Sequence, residues 1–531
     1  MKAHLLASEH DAGWQWVRRA AEARESARTG RRYRATEDEA PAGGLPWNAD
    51  ALTADLGLET LFDAMAEGDD WVFEAARATV LAGVTGDRET VRYRQAVLRD
   101  CLDRPAVVRA LYAVAVESMD QHKRRYLGIL GQYPDSVLRD AIEVMSVFRG
   151  YLKRLRRLAD AHAGEFRSTG WSDLFSALKR DLDDDYLRRV DECLDTLRFR
   201  SGELVSAELA VANKGACYTL HRVARAERSW RARWNALFAP KLPSFRFSLH
   251  PRDEAGMRAL AGLRNRGLAP AANALAQSAD HVRDFLAMLR VELAFYVGCI
   301  NLRDRLARDG LPLCFPDPMP PGDGRLAFRD LYDPGLALKL GASVVGNDAE
   351  MDGKRLVVVT GANAGGKSTF LRSLGIAQLM MQSGMFVPAT RFGAALCDGL
   401  YTHFKREEDA GMVSGKLEEE LKRMREIVDR VNPASMVLLN ESFAATNERE
   451  GSELARQIIA ALVERGVRVA CVTHLYELAH GFYRRGCAGA AFLRADREAN
   501  GSRSFKMIEG EPLATSHGAD LYRRIFAVDR T

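Results

Sequence analysis

At 531 residues the chain is longer than one ordinary domain, and two or three domains are expected. A hydrophobic content of 47% supports sizeable cores, yet no run of eighteen apolar residues signals a membrane span. The net charge of +4 does not announce a nucleic-acid binder, so any basic surface must be local.

Met1 to Gly13 carries His, Glu and Asp and no apolar core, which argues against a secretory signal. Eight cysteines at 101, 193, 217, 299, 314, 397, 471 and 487 form no Cys-x-x-Cys pair. Buried free thiols and a cytoplasmic location are expected, nucleoid-associated if DNA is bound.

Residues 1–45 read as an extension and linker, with a charged helical run from Arg18 to Arg34. Residues 46–316 read as a mainly α-helical domain: Leu58, Leu61, Phe62 and Met65, and later Val137, Leu138, Ile142 and Met145, recur at helical spacing. The one strand signal there is Phe245–Leu249. The breaker cluster 317–324 then separates an α/β domain over 325–531. Leu356–Thr360 predicts a buried strand and Phe370–Ser383 a helix ended by Gly384. Met436–Leu439 and Val467–Thr473 predict further strands, so a parallel sheet covered on both faces is expected. Asn500-Gly501 predicts a hairpin between Ala490–Leu493 and Ser504–Ile508.

The strongest chemical signal is Gly361-Ala362-Asn363-Ala364-Gly365-Gly366-Lys367-Ser368, between that strand and that helix. Glycines let backbone N–H groups turn toward phosphate oxygens, and the helix N-terminus adds positive potential. This predicts an ATP site in which Lys367, expected to be mostly solvated when the site is empty, reaches the β/γ-phosphates. Ser368 would ligate Mg²⁺. Downstream, Met436–Asn440 ends in Asn440-Glu441, where P-loop ATPases carry Asp-Glu. Glu441 would polarise the attacking water, while the Asn440 amide oxygen could serve the metal without contributing charge. A site that binds ATP without hydrolysing it is the alternative. Thr473-His474 follows the next strand, where a histidine can orient water or merely bond a loop carbonyl. Ser414-Gly415 precedes a helix with apolar Leu417, Leu421, Met424 and Val428. Its first-turn Glu418, Glu419 and Glu420 are accounted for by the helix dipole.

The segment Thr360–Arg372 resembles the phosphate loop of the MutS family of ATPases, and Phe386–Ala389, Val472–Leu478, Thr515–Gly518 and Val344–Asp348 resemble other segments of that family in the same order. The resemblance implies a core-and-lever helical domain followed by an ABC-type P-loop ATPase domain. Its nucleotide contacts would be Asn347, Gly361, Asn363, Gly365, Gly366, Lys367, Ser368 and Thr369. It also implies head-to-tail homodimers in which Ser414 serves the partner's ATP, although Ser-Gly-Lys-Leu departs from the family's Ser-Thr-Phe, and Asn440 replaces its Asp. No phenylalanine is followed two positions on by Glu, as the family's mismatch wedge requires. A form with neither mismatch-reading nor Smr nuclease domain is therefore expected. Residues 211–250 carry eight Lys/Arg, including Arg222, Arg225, Arg228, Arg231 and Arg233, against one acid; Arg149, Lys153, Arg154, Arg156 and Arg157 form a second cluster. These are candidate DNA contacts or solvated helix faces. An ATP-driven clamp on duplex or branched DNA is expected. The alternative is an ATP-gated interaction protein; an ABC-transporter ATPase is a distant third.

Overall fold

The computed structural model describes residues 4–6, 13–29, 45–83, 87–125, 133–200, 202–211, 215–221, 245, 248–250, 252–406, 415–487, 489–497 and 503–513. The chain divides into two compact units, one of residues 4–109, 165–172 and 291–531, the other of residues 1–3, 110–164 and 173–290. Compactness thus cuts the chain differently from the reading at 317–324, because residues 4–109 group with the α/β segment.

The first unit opens with helices α1 (Gly13–Thr29), α2 (Ala49–Leu56), α3 (Leu58–Ala66), α4 (Asp70–Ala82) and α5 (Arg88–Asp103). The periodic residues of α3 are all buried, as their spacing predicts. Asp69 and Asp87 cap α4 and α5 by accepting N–H bonds from the first turn. The central sheet has the order β12 (Arg503–Glu509), β11 (Ala490–Arg497), β6 (Leu356–Thr360), β10 (Arg468–Val472), β9 (Met436–Asn440) and β8 (Leu400–Phe404). All but β12 run parallel, and β12 pairs antiparallel with β11 as the Asn-Gly signal predicts. Every residue of β6 is buried, which is why it reads as a continuous apolar run. Helices α12 (Lys367–Gln382), α13 (Lys416–Val428), α14 (Glu448–Glu464) and α15 (Tyr476–Arg484) complete this region. Val437, Leu439, Val469, Ile459, Leu462 and Phe482 belong to its core, and the α13 stripe packs there through Met424, with Leu417, Leu421 and Val428 against it and Ile427 joining beside the stripe.

A second sheet, not anticipated from sequence, has the order β3 (Asp317–Met319), β7 (Arg391–Ala395), β4 (Leu326–Leu331) and β5 (Asn347–Glu350). Helix α11 (Pro334–Leu340) follows β4, with Asp333 as N-cap and a proline opening the first turn.

The second unit contains α7 (Pro134–His162) and α9 (Asp184–Leu197). Helices α6 (Pro105–Arg125), α8 (Thr169–Asp181) and α10 (Glu254–Arg308) contribute residues to both units. Its strands are β1 (Leu204–Leu209) and β2 (Gly215–His221), an antiparallel hairpin. The strand expected at 245–249 is corrected: Phe245, Ser248 and Leu249 carry no strand, and 246–247 lie outside the described residues. Among the described residues α10 alone is long and apolar enough to cross a membrane, and its apolar stretch is wholly buried. The cysteine expectation holds for Cys101, Cys299, Cys397 and Cys471, whereas Cys193, Cys217 and Cys487 are exposed.

Candidate functional site

Val472 of β10 is in register with both Val359 of β6 and Asn440 of β9. The three strands therefore end at one level, and their C-terminal loops meet. From β6 the chain turns through the glycine-rich loop, with φ of 118° at Gly361 and 89° at Gly366. A Cβ on Gly361 would lie 2.9 Å from the Ala495 nitrogen, so this position admits no side chain without displacing β11. Asn363 at the tip is exposed, Gly365 is buried, and Thr369 lies in the first turn of α12.

Lys367 differs from the sequence expectation. It is 5% exposed, and its Nζ donates to the carbonyls of Gly361 and Ala362, each at 2.9 Å. Burial lowers its pKa, and the Glu441 carboxylate opposes that shift. The Ser368 hydroxyl donates to Asn440 Oδ1 at 2.9 Å, so the two candidate metal residues meet across 72 positions of sequence.

Glu441 follows with φ 53°, and Phe443 has φ 61°. Two non-glycine residues in the left-handed region within one turn need outside support. His403 and Glu420 supply it. Phe443 N–H donates to Glu420 Oε2 of α13 at 2.8 Å. Ser442 Oγ sits 2.7 Å from both His403 Nδ1 and the His403 carbonyl. His403 Nε2 lies 3.0 Å from the Glu420 carbonyl. Fully buried, His403 has its pKa pushed down to about 4 by desolvation, with the Arg423 charge adding to it. Glu420 is therefore no mere helix-dipole acid, which corrects that part of the sequence reading. Sequence reasoning also gave no role to His403 or Ser442, since nothing local marks their pairing with α13.

His474 lies beyond the end of β10 and is exposed, while the Thr473 hydroxyl accepts the Leu475 N–H at 3.0 Å. A cavity of about 510 Å³ adjoins the loop, lined by Leu336, Val344, Asn347, Thr369, Phe370 and Phe505 among others. That volume is within the range of small-molecule sites. Asn347 is largely engaged with β12: its Oδ1 accepts from Met507 N–H at 2.6 Å and its Nδ2 donates to the Phe505 carbonyl at 3.5 Å. Phe505, at the rim beside Gly366, was missed, although the hairpin bearing it was legible. Asp333 was missed too; it accepts from Arg372 Nε at 3.0 Å, and its place before Pro334 is a readable cap signal.

Ser414 and the basic residues Arg222, Arg225, Arg228, Arg231 and Arg233 lie outside the described residues, as does Thr515–Gly518. The second basic cluster is largely paired. Arg149 and Lys153 meet Asp191, Arg154 meets Glu117, and Arg156 bonds Asp160 and the carbonyls of Lys179 and Leu182. These ion pairs lie on a partly exposed helix face.

A parallel sheet that feeds a glycine-rich loop into a helix, beside a strand ending in polar residues, defines a P-loop nucleotide-binding fold. Residues 357–522 match the family described as MutS domain V, and residues 86–309 match that described as MutS2 N-terminal domain. The chain belongs to the MutS family. It is 33% identical over 207 residues to an "Endonuclease MutS2" of Thermus thermophilus, covering 38% of this chain and 27% of that protein. It is 32% identical over 180 residues to a "DNA mismatch repair protein MutS" of Thermotoga petrophila, covering 34% and 22% respectively. An "Endonuclease MutS2" of Exiguobacterium sibiricum is 31% identical over 176 residues, covering 33% and 22%. The matches thus span about a quarter of these relatives' length.

Proposed function

We propose that the chain binds and hydrolyses ATP with Mg²⁺ and acts as a dimeric clamp on duplex or branched DNA in repair or recombination. The observation that carries the ATPase part is the Ser368–Asn440 contact at 2.9 Å, beside buried Lys367 and with Glu441 next in the chain. Ser368 Oγ and Asn440 Oδ1 are neutral, hard oxygens on one spot. That donor set fits Mg²⁺, which Ser368 and Asn440 would hold. When bound, the ion would neutralise charge on the transferred phosphoryl group.

The residues' own roles follow. Lys367 exchanges its two carbonyl acceptors for phosphate oxygens. Gly361, Asn363, Gly365, Gly366 and Thr369 cradle the phosphates with loop and helix N–H groups, and the cavity beside Asn347 takes the rest of the nucleotide. Glu441 orients and polarises the attacking water, with His474 beside the same strand ends. Ser414 of a second copy would complete the site. DNA would be met by Arg222, Arg225, Arg228, Arg231 and Arg233, and a cytoplasmic, nucleoid-associated protein follows from that reading. The names of the relatives, a MutS2 endonuclease and a MutS mismatch-repair protein, support a role on DNA.

The neutral amide of Asn440 favours a second reading: an ATP-gated, dimerising interaction protein with little hydrolysis. ATP turnover with and without a panel of duplex, mismatched and branched DNAs separates the two. DNA-stimulated turnover that Glu441→Gln abolishes, with ATP still bound, is expected. Absence of turnover at millimolar Mg²⁺ would give the second reading precedence.

A further inference from the structure

Far along the chain from the phosphate loop, three residues near the start of the chain are gripped by their backbone. Leu5 N–H and Leu6 N–H both donate to Glu292 Oε2 of α10, at 2.6 and 2.9 Å. The Leu5 carbonyl accepts from Tyr296 OH at 2.5 Å, one helical turn along. The Leu6 carbonyl accepts from Arg94 Nε of α5 at 2.6 Å, and the His4 carbonyl accepts from Tyr93 OH. Leu5 itself is 0% exposed. Every backbone donor and acceptor of Leu5 and Leu6, and the carbonyl of His4, thus has a side-chain partner.

Two features mark this as a built site rather than incidental packing. Glu292 is 8% exposed, so its carboxylate is withdrawn from solvent and answered by two N–H donors from outside its own helix. Gly170 leaves room for the Tyr93 hydroxyl, which would lie 2.6 Å from a Cβ placed there. If the tripeptide left, a buried carboxylate, a guanidinium and two hydroxyls would lose acceptors or donors together, so the socket needs a peptide backbone in place.

We propose that α5 and α10 form a peptide-binding socket that reads the backbone of a segment bent at two successive residues, with a leucine at its buried position, and that His4-Leu5-Leu6 is its resident, displaceable ligand. The recognition is of backbone amides plus one apolar side chain. In trans the socket's occupant is the same segment of a second copy of this chain.

The test uses the full chain and a fluorescein-labelled peptide with the sequence of residues 1–10. Wild type should bind it weakly, because the socket is filled. Leu5→Asp should expel the resident segment and bind the peptide. Adding Glu292→Ala should weaken that binding about tenfold or more, as should N-methylation of the peptide at Leu6, which removes one N–H donor. Equal binding of the methylated peptide, or no binding by a Leu5→Asp chain with wild-type circular dichroism, would overturn the proposal. If Leu5→Asp does not fold, amide exchange in wild type decides. Slow exchange at Leu5 and Leu6 that Glu292→Ala abolishes supports the socket, and exchange at the intrinsic rate overturns it.

Discussion

Glu292 and His403 are buried titratable residues whose pKa values are displaced in opposite senses. Burial raises Glu292 to about 7, with the two leucine N–H groups and the Arg94 charge resisting and Tyr296 alongside. Burial lowers His403 to about 4, with Arg423 and Arg406 adding repulsion and the Glu420 carbonyl opposing. As pH rises from the ordinary glutamate value to about 7, the unfolded chain releases Glu292's proton before the folded one does, so stability falls. As pH falls from the ordinary histidine value to about 4, the unfolded chain protonates His403 first, so stability falls again. Relative to wild type, Glu292→Gln should therefore gain stability with rising pH, by about 3 kcal/mol across the window. His403→Gln should gain a similar amount, about 3 kcal/mol, with falling pH. Urea titrations from pH 4 to 7.5 measure both slopes, and parallel profiles for all three proteins would refute the assignment. Lys367→Ala belongs to this scale as well. It should abolish ATP binding and, because Nζ holds two loop carbonyls, also cost about 1–3 kcal/mol. A fluorescent ATP analogue and a melting curve report the two effects separately.

Among the elements, the turn after β9 is held in an unfavourable backbone conformation by α13 and β8. Glu420→Ala would leave the buried Phe443 N–H without its acceptor, at a cost of about 1–3 kcal/mol. It should also slow turnover more than it weakens ATP binding, since the turn carries Glu441. Comparing kcat with nucleotide affinity tests this, and equal loss in both would place the effect on binding instead. The phosphate loop, β6, β9, β10 and the late hairpin were legible because each is a local pattern: an apolar run, glycine spacing or an Asn-Gly turn. The contact between Asn440 and Ser368 could be expected from their residue types. The Glu420–Phe443 bond could not, because a side chain reaching a backbone N–H 23 positions away leaves no periodic trace. The second sheet was illegible for a related reason. Its strands are short, β3 contains Pro318 and β7 contains Gly393, so long-range pairing outweighs local propensity. The β1–β2 hairpin leaves no apolar-face signal because neither strand has a buried residue.

For the molecule as a whole, the DNA reading draws first on the 211–250 stripe, with eight Lys/Arg against one acid. Binding should weaken with salt at a slope of roughly −4 to −5 if four to six charges meet phosphates. Charge reversal at Arg228 and Arg231 should flatten it by about one for each phosphate no longer neutralised, with ATP binding unchanged. Unaltered DNA binding in that double variant would reduce the stripe to a solvated face. Leu5 and Glu292 are 287 positions apart, and α1 to α5 share a unit with strands made later still. At ribosomal speeds of about 5–20 residues per second, the nascent leucine waits roughly 15–60 seconds for its carboxylate. Throughout that interval the apolar faces of α3 and α4 have no finished core to enter, so the yield of folded protein should depend on chaperone capacity and on the rate of translation.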